Sequence, residues 1–176
     1  SGTNLSFIDR ASGKDFLRTT LPSPCAVVRA GNDTQPANAA SFADDRLTLS
    51  FGPSGIKAVL KTETRPAYVV FTVESISGGQ VDALTFLNVP LTVKGLPDEA
   101  FGACALSLNL FTRVDAVPAL QQELRASCEK KFGLIGAKVA ISAAPMAKML
   151  PALQETLSGA SQLPVCKVAG PWARET

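Results

Sequence analysis

An antiparallel β-sandwich of the jelly-roll or supersandwich kind, with a C-terminal helix–strand–helix extension packed on it, is the mainly β fold this sequence predicts. Three observations predict it. Short apolar runs alternate at period two through residue 111, glycine and proline punctuate them, and beyond residue 115 the period changes. At 176 residues the chain has the length of one domain. The same signals divide it into a sandwich over 1–115, an α/β extension of that domain over 116–160 and a linker-like tail over 161–176.

Residues 5–9 and 15–17 flank the polar stretch 11–14, where Gly13 can take a positive φ, so the chain opens on a β-hairpin. The apolar run 25–29 ends in the turn cluster 31–33, and 34–45, rich in Ala, Asn, Asp and Pro, reads as a surface loop. Leu47, Leu49 and Phe51 share one face of a strand over 46–51, and Ile56, Ala58 and Leu60 do the same after the turn at 52–55. Residues 67–74 are β-branched and aromatic on both faces, as a central strand requires. One or two strands follow over 81–93, interrupted at Asn88-Val89-Pro90. The run 104–111 then alternates with Leu106, Leu108 and Leu110 inward.

Past Asp115, Leu120, Leu124, Cys128 and Phe132 recur at every fourth position, one stripe of an amphipathic helix with Pro118 in its first turn and Gly133 at its end. A short strand over 137–142 comes next. A second helix starts at Pro145, carries Met146, Met149, Leu150, Leu153 and Leu157 at helical spacing, ends by Gly159, and kinks or breaks at Pro151. Each helix must bury its stripe, so both are expected on the sandwich with Leu124 and Leu153 fully enclosed.

Composition narrows the function classes. A net charge of +2 is too small to mark nucleic acid or an anionic membrane as the main partner. The densest basic group, Arg125, Lys130 and Lys131, is interleaved with Glu123 and Glu129 and reads as a solvated helix face. No apolar run approaches the roughly 18–20 residues that span a bilayer. The polar start at Ser1 shows no signal peptide, as in a secreted protein after cleavage. With no histidine in the chain, Ser-His-Asp and Cys-His nucleophile systems and histidine metal sites are excluded. Hydrolysis would have to use a carboxylate pair. Glu63, Glu74, Asp82, Asp98 and Glu99 are available, but such residues occur at strand ends in any β protein, and no residue is assigned a catalytic role.

Two groups can bind without reacting. Asp33, with Asn32, and the pair Asp44-Asp45 bracket one loop, where converging oxygens would suit a structural calcium ion, against the plainer reading as turn chemistry. No other cofactor is expected. Tyr68 and Trp172 are the candidate sugar-contacting aromatics, against core packing for the first and anchoring of the tail for the second. Cys25, Cys104, Cys128 and Cys166 form no Cys-x-x-Cys pair, which argues against zinc and redox motifs. Buried free thiols are the favoured reading, with two disulfides of undetermined connectivity as the alternative.

Four segments together carry a resemblance: residues 5–17, 65–79, 127–140 and 170–174. They resemble the N-terminal β-sandwich region of large secreted bacterial polysaccharide-degrading enzymes of the glycoside hydrolase type, which precedes a separate catalytic domain. The resemblance implies a fragment ending in a linker-like tail. It further implies a non-catalytic accessory role, carbohydrate-binding or scaffolding, with polysaccharide or the adjacent catalytic domain as partner, and an extracellular or periplasmic setting. A self-contained carboxylate-dependent glycoside hydrolase or lyase, and a structural or adhesive sandwich that binds another protein, are the alternatives.

Overall fold

Tight hairpins organise the middle of the chain. Ala30 pairs with Asp33 across Gly31-Asn32, and Gly31 takes the positive φ that a two-residue turn of this kind demands. Ala43 pairs with Arg46 across Asp44-Asp45, both held at positive φ, a conformation that the short Asp side chain tolerates. The computed structural model describes residues 1–20, 23–96, 98–116 and 123–160. Within them lie the strands β1 (Val27–Ala30), β2 (Asp33–Ala43), β3 (Arg46–Phe51), β4 (Ile56–Thr64) and β5 (Tyr68–Ser77). After these come β6 (Ala83–Pro90), β7 (Phe101–Ser107), β8 (Arg113–Ala116), β9 (Glu123–Glu129), β10 (Lys138–Pro145) and the helix α1 (Met146–Ala160).

The chain is mainly β, with the strands in one antiparallel ten-stranded sheet of order β7-β10-β5-β4-β3-β2-β1-β6-β9-β8. The sheet turns its corner in β2. Residues 33–36 of β2 pair with β1, a bulge falls at Ala37/Ala39, and the remainder pairs with β3. Pro36 sits at the handover. The following amide, Ala37 N–H, reaches back to donate to the Ala26 carbonyl at 2.9 Å. At the far ends β7 lies against β8 and β9, so the sheet curls nearly into a barrel. Two separate sandwich layers are thus not seen; one sheet runs continuously through the segment expected to be a loop. Alternation and turn spacing are the same in a sandwich and a barrel, and only the pairing of β2 with both neighbours tells them apart.

The inward face forms one core, with Val28, Leu49, Leu60, Val73, Leu84 and Val139 all at 1% exposure or less. β9 belongs to it. Leu124, Ala126 and Cys128 alternate inward at 0%, 0% and 1% exposure along a strand that pairs with β6 and β8. The expected first helix is therefore corrected: a repeat of four residues is also a repeat of two, and Ala126 supplied too little apolar weight to show the shorter period. Phe132 is exposed, and the helix start expected at Pro118 and Leu120 lies outside the described residues. Within the stretch 116–160, expected as an α/β extension of the same domain, β9 and β10 are integral strands of the sheet, and among the described residues α1 is the helix packed on it.

The second helix forms as expected and runs through Pro151. It lies on the outer face over β5, β7 and β10. Its buried residues are Ala152 and Thr156, with Leu153 half-buried and Leu150 66% exposed, so the enclosure expected for Leu153 is not seen. Small residues face the sheet because the approach is close. Thr156 Oγ1 lies 2.8 Å from Ser142 Oγ and donates to the Ala152 carbonyl at 2.7 Å, and Gly102 leaves room for Met146 and Met149. At the other end of the chain the opening hairpin forms around Gly13, with an Ile8–Asp15 bridge, and delivers Phe16 into the core in a 4.6 Å ring stack on Phe101.

Candidate functional site

The aspartates expected to share a calcium ion do not come together. Asp33 and the Asp44-Asp45 turn occupy opposite ends of β2, on the order of 30 Å apart for an extended strand of that length. The calcium reading is corrected accordingly: the segment between them is extended, and its aspartates serve two different hairpins. No group of three or more potential metal ligands occurs among the described residues. Tyr68 is 7% exposed and packs with Val70, Leu108 and Ala140 under the end of α1, so its ring is core and not a sugar platform. Trp172 lies outside the described residues.

The carboxylates serve structure. Glu74 accepts a two-pronged pair of bonds from Arg46 at 2.6 and 2.9 Å, and Glu63 lies 3.4 Å from Lys61 and 3.9 Å from Arg65. Asp82 accepts from Gly31 N–H at 2.7 Å and so secures the β1–β2 turn. A cleft of about 340 Å3 beside Phe16 and Phe101 holds two more, Asp9 and Glu99. Asp9 accepts from Ser12 and Ala11, which hold it below the usual carboxylate range. Burial works to raise Glu99, but backbone donors at Lys94, Leu96 and Gly95 outweigh it and bring that carboxyl down as well. A general acid needs the opposite displacement. Burial also pushes the thiols up, Cys104 to about 11 and Cys128 to about 12, so neither is a ready nucleophile. Cys25, Cys104 and Cys128 are free, and of the three Cys128 is buried as expected while Cys25 and Cys104 are only partly buried.

What the fold does bring together is a cationic groove that the sequence reading missed. On the half of the sheet formed by β2, β1, β6, β9 and β8, an inward row of Val28, Leu84 and Cys128 is flanked by two outward rows. One row runs Thr34, Arg29, Ala83, Glu129; the other runs Val27, Thr85, Ser127, Arg113. Arg125 follows two residues further along β9. Bulges at Thr85/Leu87 in β6 and Val114/Ala116 in β8 flank β9 on both sides, and bulged strands bend and twist more strongly. The result is a depression of about 270 Å3 bordered by Arg29, Arg113 and Arg125 with Thr34, Thr85 and Ser127. It meets a second, of about 470 Å3, lined by Asp82, Lys130 and Lys131; Arg29 and Glu129 belong to both.

Charge in this groove is mixed but mainly positive. Glu129 bonds Lys131 at 3.0 Å, and its carboxyl is held low first by Lys131 and then by Arg113 and Arg29. Arg29 is exposed. Arg125 is half-buried, with Nη1 3.8 Å from Glu123 and Nε buried without an acceptor. Such an unmet donor costs about 1–3 kcal/mol and calls for a reason. The sequence did hold a signal, since Arg125 and Ser127 alternate with Leu124, Ala126 and Cys128. Reading this stretch as a helix dispersed it over a solvated face.

Fold and groove together define a mainly β near-barrel with one covering helix and a cation-lined polar surface, in which no metal-ligand cluster assembles among the described residues. No family model, curated protein or solved structure matches the chain. Among the described residues no helix is long and apolar enough to cross a membrane.

Proposed function

We propose that the chain is a non-catalytic accessory module of a secreted carbohydrate-active enzyme, binding polysaccharide through the arginine-bordered groove. The observation that carries this reading is the groove itself: guanidinium forks and threonine hydroxyls presented on rigid strands, with the neighbouring carboxylates committed to turns and ion pairs. Arg binds oxyanions and sugar hydroxyls through several donors at once, and a scaffold of strands holds those donors in place. The resemblance of residues 5–17, 65–79, 127–140 and 170–174 to the N-terminal sandwich region of polysaccharide-degrading enzymes supports it. In this reading the two halves of the sheet on either side of β2 correspond to the layers of such a sandwich, and the setting is extracellular or periplasmic.

Affinity electrophoresis of the intact chain through gels loaded with plant and algal polysaccharides tests the proposal. Retardation by at least one polymer is expected, and Arg29→Ala together with Arg125→Ala should abolish it. Free migration in every gel would remove the binding role and leave scaffolding alone. Turnover of any of these polymers that is lost in Glu63→Gln, Glu74→Gln or Asp82→Asn would replace this reading with the glycosidase or lyase one.

A further inference from the structure

We infer that the groove selects polysaccharides bearing an anionic group, carboxylate or sulfate, on their sugar rings. This deepens the binding reading above and rests on it. Arg29 on β1 and Arg113 on β8 are separated by the two strands β6 and β9, about 14 Å across the strands at the usual spacing, and lie two residues out of step along them. Arg125 lies two residues from Ser127 on β9, about 7 Å along the strand. Lys130 and Lys131 continue the line of cations past Arg29. The cations are thus spaced out along the groove, with Thr34, Thr85 and the Glu129 carboxylate between them.

That alternation chooses among anionic ligands. A uniformly charged phosphodiester chain would bring phosphates against Glu129 and Glu123, where like charges repel. No aromatic side chain borders either depression, so nothing stacks the bases of a single-stranded nucleic acid. A protein partner would be held by large apolar anchors, and the exposed ones, such as Leu110, Phe111 and Phe132, are not among the groove-lining residues. An acidic glycan has charged groups separated by hydroxyls. Its acids meet the guanidinium forks while its hydroxyls donate to Glu129 and exchange bonds with the threonines.

The test is calorimetric titration of the intact chain with four polymers: a polyuronate, the same polymer after carboxyl reduction, a sulfated galactan and a single-stranded oligonucleotide. The expected result is binding to the polyuronate, the sulfated galactan or both, at least about tenfold tighter than to the reduced polymer, and weakening several-fold between about 50 and 200 mM salt as released counterions dictate. Which of the two acidic polymers binds identifies the anionic group. Arg29→Ala should weaken binding about tenfold or more. Arg125→Lys, which keeps the charge and loses the fork, should weaken it less than Arg125→Ala, and Lys57→Ala on β4 should leave it unchanged. Thermal melts matching wild type establish that the variants fold. Equal, salt-insensitive binding of the polyuronate and its reduced form would overturn the selectivity and leave the accessory-module reading standing. Oligonucleotide binding as tight as that of the acidic glycan would overturn it in favour of a general anion surface. Binding of none of the four would overturn the glycan-binding reading along with it.

Discussion

Leu124 and Leu153 show how a single position ties sequence to energetics. Both were expected to be fully enclosed on helices. Leu124 is enclosed, at 0% exposure, but as an inward residue of β9 with Val89 opposite it on β6. Leu153 is only half-buried on α1. Truncation of a sealed core leucine costs about 2–5 kcal/mol, because neighbours fixed in strands cannot collapse into the space. Leu124→Ala should therefore lower the denaturant midpoint of the whole chain in one transition, with an unchanged slope. Leu153→Ala should cost about 1 kcal/mol or less, since water already reaches the site. Equal losses in urea titrations would show that the helix is buried more deeply than described. Burial of the first was legible from its apolar neighbours; burial of the second was not, because the stripe of α1 that packs inward consists of the small residues Ala152 and Thr156.

Among elements, those with strong side-chain alternation were legible and those defined by pairing were not. β3, β4 and β5 show their inward residues directly, and the structure places them as expected. β2 does not: its 11 residues are mostly exposed, contain Pro36, and owe their extended form to hydrogen bonds with β1 and β3. Its turns were equally hard to read, since Asp44-Asp45 lacks the glycine that usually marks a two-residue hairpin. The groove was hidden by the same difficulty, because its arginines come together only once β9 is a strand between β6 and β8. For α1 the sequence pointed to a kink at Pro151, yet the helix continues to Ala160. The proline still removes one intrahelical bond and crowds the preceding turn. Pro151 is exposed, so Pro151→Ala disturbs no core contact and should stabilise the chain by about 1–3 kcal/mol, read as a higher Tm with a gain in helical signal. A lower Tm would mean that the proline shapes the close approach of Thr156 to Ser142.

At the scale of the whole molecule, the near-barrel gives the chain two opposed sets of ionisable groups, and these fix how stability depends on pH. On its surface, Asp15 is held below its usual value of 3.8 by Leu17 and Phe7 amides, Glu74 below 4.5 by Arg46, and Glu129 below 4.5 by Lys131. Each folded-state value is depressed, so the unfolded chain binds protons first as pH falls. Their contribution is complete above about pH 5 and is lost as pH drops through the 3.8–4.5 range and below. In its interior the sign reverses. Cys104 and Cys128 are raised from 9.0 to about 11 and about 12 by burial, so the folded chain keeps protons that the unfolded chain releases. Their contribution is complete below pH 9 and is lost as pH rises toward 11–12. Urea midpoints measured from pH 2 to 11 should therefore rise to about pH 5, stay level, and fall beyond about pH 9. The two arms separate by mutation. Glu74→Gln, on an exposed pair, should make the acid arm slightly shallower and leave the alkaline arm alone, while Cys104→Ala with Cys128→Ala should make the alkaline arm shallower after allowance for a lower plateau, the Cys25 thiol, also raised by burial, keeping a remainder. An alkaline arm of the same steepness in the double variant would show that groups other than the buried thiols drive it.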